Sequence, residues 1–378
     1  MSVRQRVIAA ALTAGAITTA GVMAAPTAGA LPATPNSFIS HFHHLQKIDS
    51  TVPKNGDVNP YGIFVVRAST GRLRQGSVLI SNFNNKGNLQ GTGTTIVEIS
   101  PGGHRTLFAR ITARSLPGRC PGGVGLTTAL EVLRGGFVVV GSTPSKNGMA
   151  ATAKAGCLIV LNRFGRVVET LSGHGINGPW NSTMVEHGSM ADLFVANVLN
   201  GTVQAGGKVV HHGTVLRLAL QLRGNRPPRW VATTKVGSGF GTATNAAAFV
   251  LGPTGLGLGR HGTLYVAQTL TSTIHAIPNA QFRMRTAGTG RLVSAHGALN
   301  MPLGLAIAPN GNILTVNGGD GLIVETTPRG HQVGQALLDT TPPTPAGGAG
   351  ALFGLAVKPG GRGIYFVDDI SNTLMLFH

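Results

Sequence analysis

The chain of 378 residues holds 30 lysines and arginines against only 12 acids, for a formal net charge of +18, and 56 of its residues are glycine. No basic run exceeds two residues, which argues against nucleic acid as a partner, because such binders concentrate Lys and Arg on one face or helix. The charge fits attraction to an anionic cell-surface polymer, or an acidic exterior in which protonated carboxylates lose their pairing value.

Residues 1–30 read as a secretory signal peptide. Arg4 and Arg6 form a charged start, an Ala/Thr/Val/Ile-rich run follows from Val7, and Ala28-Gly29-Ala30 supplies small residues for cleavage. An uncleaved anchor is the alternative, but the run is only weakly apolar for a spanning helix. The expectation is an exported protein, periplasmic, cell-surface or extracellular. It would be a monomer with no transmembrane segment after signal removal. Cys120 and Cys157 are the only cysteines, and an oxidising compartment permits them one bridge.

Residues 31–57 form an N-terminal segment, and from residue 58 the chain repeats itself. Six units begin near residues 62, 129, 181, 255, 304 and 354. Each has a small-residue start, an apolar strand, a Gly turn, a second strand ending on a polar residue, a loop and a third strand. Gly255 to Gln268 and Gly304 to Asn317 share one spacing. A fourth strand follows most units, in HRTLFAR, RVVETLS, RWVATTK, RLVSAH and HQVGQALL, typically opened by a base such as Arg105, Arg166, Arg229, Arg291 or His331. Basic residues on exposed edge strands discourage edge pairing. Four short strands repeated six times predict an all-β, six-bladed β-propeller of four-stranded antiparallel blades over 58–378. The sixth unit stops after its third strand at Phe377-His378. The N-terminal segment SFISHFHHLQKIDSTV could supply the missing strand and close the ring. Its apolar spacing at Phe38, Phe42, Leu45 and Ile48 also suits a helix packed across the outside, so both readings stay open.

Pro302-Leu303-Gly304, Asn310-Gly311-Asn312 and Val316-Asn317-Gly318-Gly319-Asp320 resemble the NHL repeat of six-bladed propellers. That superfamily is shared with gluconolactonase-like, strictosidine-synthase-like and amidating-lyase-like enzymes. The resemblance implies the fold and leaves the activity open, because one fold hosts many functions. Gluconolactonase-like members hold a divalent metal in the channel through a carboxylate set that does not map onto this chain residue by residue.

With strands lettered a to d outward from the axis, the a–b and c–d turns share one face, and the b–c loops and d–a crossings share the other. The residues opening the b–c loops are Asn82, Ser142, Asn197, Gln268, Asn317 and Asp368, followed three positions later by Asn85, Ser145, Asn200, Thr271, Asp320 and Ser371. Such side chains cap turns through backbone N–H groups. As a converging ring they could instead bind a small polar ligand, a protein partner or a divalent cation in the channel. Three neighbouring b–c loops are long (82–93, 142–156 and 197–213) and carry His211 and His212. Cys157 follows the second of them, and Cys120 lies on the same face before strand a of that unit, which favours their pairing. Among the 13 histidines, HFHH at 41–44 has ligand-like density, but a His cluster without Cys or carboxylate partners is usually solvent-facing. No G-x-S-x-G, H-E-x-x-H or P-loop motif is present. The reading is a binding or interaction module with no confident cofactor, its polar face formed by the b–c loops. The alternative is a hydrolase or lyase, lactonase-like, with Asp320 or Asp368 and a loop histidine in acid–base roles.

Overall fold

The computed structural model describes residues 37–339 and 352–378, so the signal-peptide reading of residues 1–30 lies outside the described residues. Six antiparallel sheets follow the chain as blades of a propeller. Their innermost strands are Val58–Val65, Leu126–Leu133, Pro179–His187, Pro253–Leu258, Pro302–Ile307 and Leu352–Val357. Five sheets have four strands. Blade 3 has a fifth, because its outer strand Arg226–Asn245 runs on past the blade and pairs with Phe249–Leu251. The second strands, such as Val78–Asn84 and Phe137–Ser142, are buried throughout. Each is sandwiched between neighbouring blades, where β-branched and aromatic side chains pack best.

The small residues at the start of each unit mark the places where inner strands touch around the axis. A Cβ on Gly304 would lie 2.0 Å from the Phe353 carbonyl oxygen of the next blade. On Gly255 it would meet the Leu303 oxygen at 2.4 Å, and on Gly354 the Tyr61 oxygen at 2.4 Å. Hydroxyls complete the seam between blades. Thr127 donates to the Pro179 carbonyl at 2.8 Å, Ser81 to that of Thr127 at 2.7 Å and Thr269 to that of Pro302 at 2.8 Å. In blade 3 the small residue is replaced by Asn181, whose Oδ1 accepts the Leu256 N–H of blade 4 at 3.0 Å.

The N-terminal segment closes the ring as a strand. Leu45–Ser50 pairs antiparallel with Thr373–Phe377, Leu45 opposite Phe377, and becomes the outer strand of blade 6. Among the described residues ahead of it, the helical ones are Ile39–His41, a single 3-10 turn. This short turn is fastened to blade 5 by Glu325, whose carboxylate accepts from Ser37 Oγ (2.8 Å), Phe38 N (2.9 Å) and Ile39 N (3.0 Å), and from the Asn310 and Asn312 amides (3.0 and 2.6 Å). These bonds outweigh burial and hold the carboxyl below its ordinary range. Phe38, Phe42 and Phe377 stack edge to face beside it. The apolar spacing that suited a helix therefore serves a turn followed by a strand.

Cys120 and Cys157 form a disulfide across 37 residues. It ties the crossing into blade 2 to the strand that follows the 142–156 loop.

Candidate functional site

The two ends of the central channel differ. On the b–c side five rings meet across the axis: Tyr61 and Phe83 of blade 1, Trp180 of blade 3, Phe249 of the extra strand and Phe353 of blade 6. Tyr61 stacks on Phe353 at 3.9 Å and on Phe83 at 4.4 Å between centroids, and Phe83 meets Trp180 and Phe249 edge-on at 5.4 and 5.2 Å. The long loops do not stand over an open mouth. Ala150 and Ala153 of the second and Leu199 and Val203 of the third pack into this same cluster.

The polar ring foreseen on that side is present, its side chains bonded to nearby backbone and hydroxyl groups, with the amide oxygens of Asn82, Gln268 and Asn317 buried and left without a hydrogen-bond partner. Asn82 donates to Thr51 O and Thr95 Oγ1, Ser142 accepts from Gly125 N, and Asn197 accepts from Asn177 N. Gln268 donates to Gly241 O, and Asn317 donates to Ala298 O and to Asp320, which also accepts Leu322 N. Asp368 accepts Ser371 N at 3.0 Å. All but Asp320 are buried. Burial raises the Asp368 carboxyl, and that of Asp369 beside it rises to about 7, mainly from burial and then from the Asp368 charge. His211 and His212 lie apart, exposed at the start of Val210–Arg223.

The a–b side holds a cavity of about 960 Å³. Its wall takes at least one apolar side chain from the inner strand of every blade, among them Ile63, Leu130, Met184, Leu256, Leu305 and Leu355. Against this wall stands one polar sector, formed by Thr128 and Glu131 of blade 2, Asn181, Ser182 and Thr183 of blade 3, and Arg67 of blade 1. Gln281, Phe282 and His261 of blade 4 rim the mouth. Glu131 is 8% exposed, and burial pushes its carboxyl up to about 8, against the opposing pull of the Arg67 charge and a hydrogen bond with Ser182. Near neutral pH it is a carboxylic acid, able to donate one hydrogen bond and accept another.

The donors here do not suit a divalent cation. Glu131 is the one acid in the lining, the Asn181 oxygen is committed to Leu256, and the Thr128 hydroxyl donates to the Trp180 carbonyl. Among the described residues no group of three His, Cys, Asp or Glu side chains could hold a metal. Hard cations gather several ionised oxygens. Sequence reasoning passed over Glu131. The available signal was a lone acid inside the apolar inner strand LTTALEVL, where an unpaired charge would be costly.

These features define an all-β six-bladed propeller with a ligand-sized chamber on its axis. Solved structures of similar fold include a gluconolactonase from Xanthomonas campestris, with TM-score 0.54 and 14% identity over 88% of each chain. The calcium-binding protein regucalcin from Agrobacterium tumefaciens has TM-score 0.53 and 10% identity, over 87% of this chain and 92% of its own. A luciferin-regenerating enzyme has TM-score 0.55 and 10% identity, over 88% and 94%. At these identities the likeness is one of fold. No protein-family model and no curated protein sequence matches the chain.

Proposed function

We propose that the protein is an exported propeller of NHL-like repeats that works as a binding module, its ligand lodged in the axial cavity and entering from the a–b side. The observation that carries this reading is the composition of the cavity. A chamber of about 960 Å³ with an apolar wall and one cluster of hydrogen-bonding groups has the size and chemistry of a small-molecule site. The ligand class that fits is a largely apolar molecule with one polar end. Protonated Glu131, Ser182 and Thr183 would meet that end through neutral hydrogen bonds, and Arg67 would favour an acceptor or an anion. The test is titration of an environment-sensitive amphiphile, anilinonaphthalene sulfonate, into wild type and the triple variant Thr183→Trp/Leu256→Trp/Leu355→Trp, which crowds the chamber from three blades. Saturable one-to-one binding lost in the variant supports the reading, and binding indifferent to the crowded chamber sinks it.

A second reading, a hydrolase or lyase of the lactonase-like kind, is favoured by one observation. An acid raised to about 8 can exchange a proton near neutral pH. It predicts turnover in a lactone and ester panel that survives chelator and disappears in Glu131→Gln.

A further inference from the structure

The bases that look scattered in sequence are sorted by the fold. The a–b and c–d turns lie on one face, and they collect Arg72, Arg134, Arg260 and Arg362 from a–b turns alone, all exposed. The c–d turns of blades 2 to 5 each add Arg as well. None of the 12 acids is fully exposed. Three acids near this face are already engaged: Glu98 accepts Arg74 N at 2.7 Å, Glu186 pairs with Arg134 at 3.3 Å, and Asp192 pairs with His187 at 3.1 Å. The face is therefore strongly positive with little to offset it.

Two c–d turns on this face also hold apolar side chains out in water. In blade 4, Gln281-Phe282-Arg283-Met284-Arg285 exposes Phe282 at 78% and Met284 at 80%. In blade 2, Asn162-Arg163-Phe164-Gly165-Arg166 exposes Phe164 at 48%. Both place Phe directly beside Arg. The blade 4 loop is built to hold this posture. Half-buried Arg217 donates to the carbonyls of Ala280 and Gln281 at its base, and Arg283 donates to Pro278 O at 3.3 Å and Arg285 O at 3.1 Å.

The geometry points to this face as a docking surface for an anionic lipid bilayer. Phe282, Met284 and Phe164 enter the headgroup–acyl boundary, and the surrounding arginines lie at the level of the lipid phosphates. Charge complementarity alone would also suit a soluble polyanion. A polyanion, however, gains nothing from Phe and Met held in water between arginines, whereas a bilayer takes up both kinds of group at once. Phe282 also rims the axial cavity, so docking sets the mouth of the chamber against the membrane.

The test is sedimentation of the full chain with phosphatidylcholine vesicles, with and without phosphatidylglycerol, alongside retention on immobilised heparin. Wild type is expected to bind only the phosphatidylglycerol vesicles. The double variant Phe282→Ser/Met284→Ser should weaken vesicle binding about tenfold or more, as loss of two inserted side chains implies, with heparin retention unchanged. Arg285→Gln and Arg362→Gln should each weaken vesicle binding about fivefold, and added salt should weaken it further. These side chains are exposed, so melting temperatures should match wild type, and Phe164→Ser repeats the apolar arm if the double variant fails to fold. Wild-type vesicle affinity in the apolar variants, equal binding to uncharged vesicles, or heparin binding without vesicle binding would overturn the inference.

Discussion

Replacing Glu131 by glutamine exchanges a buried acid for an amide of nearly the same shape, and linkage fixes the sign of the result. The folded-state value of about 8 lies above the ordinary value of about 4.3 for an unfolded chain. Its contribution to stability is thus fully present at acid pH and is lost as pH rises towards 8. Thermal melts should show Glu131→Gln gaining on wild type steadily from about pH 4.3 to about pH 8, then holding a constant lead. A constant difference across that range would mean that the acid is not held neutral. Glu325 runs the other way. Its folded value is lowered, so its stabilisation is present above the unfolded value and is lost as acid protonates it. Removing its charge in Glu325→Gln should cost a few kcal/mol, on the scale of about 1.5–3 for each charge-assisted hydrogen bond, and should leave the variant less sensitive to acid. The two acids look alike in sequence, each a single glutamate within an apolar strand. What separates them is the partners the fold delivers, five hydrogen-bond donors to Glu325 and few to Glu131, and those come from distant segments such as Ser37 and Ile39.

At the scale of the strand and turn, the repeat was legible because it is a packing requirement. The start glycines recur because a neighbouring carbonyl lies where a Cβ would go, and the b–c polar residues recur because each ties its strand end to nearby backbone, as Ser142 does to Gly125 N, Asn197 to Asn177 N and Asp368 to Ser371 N. Gly304→Ala should accordingly lower stability by about 1–3 kcal/mol, the usual cost of overpacking. Gly102→Ala, whose added carbon would come no nearer than 3.9 Å to a neighbour, should leave the melting temperature unchanged. The disulfide closes 37 residues, and removing it through Cys157→Ser should cost about 4 kcal/mol by loop entropy. Equal melting of oxidised wild type and the variant would show that the crossing into blade 2 is ordered without it. Which mouth of the channel is open was not legible. That depends on Phe249, carried by a strand outside the repeat, and on loop residues such as Leu199 that turn inward with no periodic pattern to announce them.

Over the whole molecule, scarcity of acids and their burial act together. Burial raises Glu98, Glu131, Glu169, Asp368 and Asp369, whereas only Glu325 among the resolved carboxyl shifts is lowered. Five raised acids add stability as pH falls. Half-buried His275, whose value is lowered, opposes them once pH drops below about 6.5. The expected outcome is a higher melting temperature at pH 5 than at pH 8, and a melting temperature that drops as pH is lowered from 8 to 5 would contradict it. The polarity of the two faces could not be seen along the chain, because alternate turns belong to opposite ends of the propeller. Sorting them by strand direction is what gathers the arginines.

The pairing of Leu45 with Phe377 also orders events in time. The strand that closes the ring is made before any blade exists, and its partner is made after all the others. At about 5–20 residues per second, tens of seconds of synthesis separate the two. Until then the N-terminal strand has no partner, and Ser37 and Ile39 wait for Glu325, so the ring cannot lock early. A chain that must pass through a membrane before it folds would gain from such a clasp, since its last stitch cannot be tied while the thread is still being paid out.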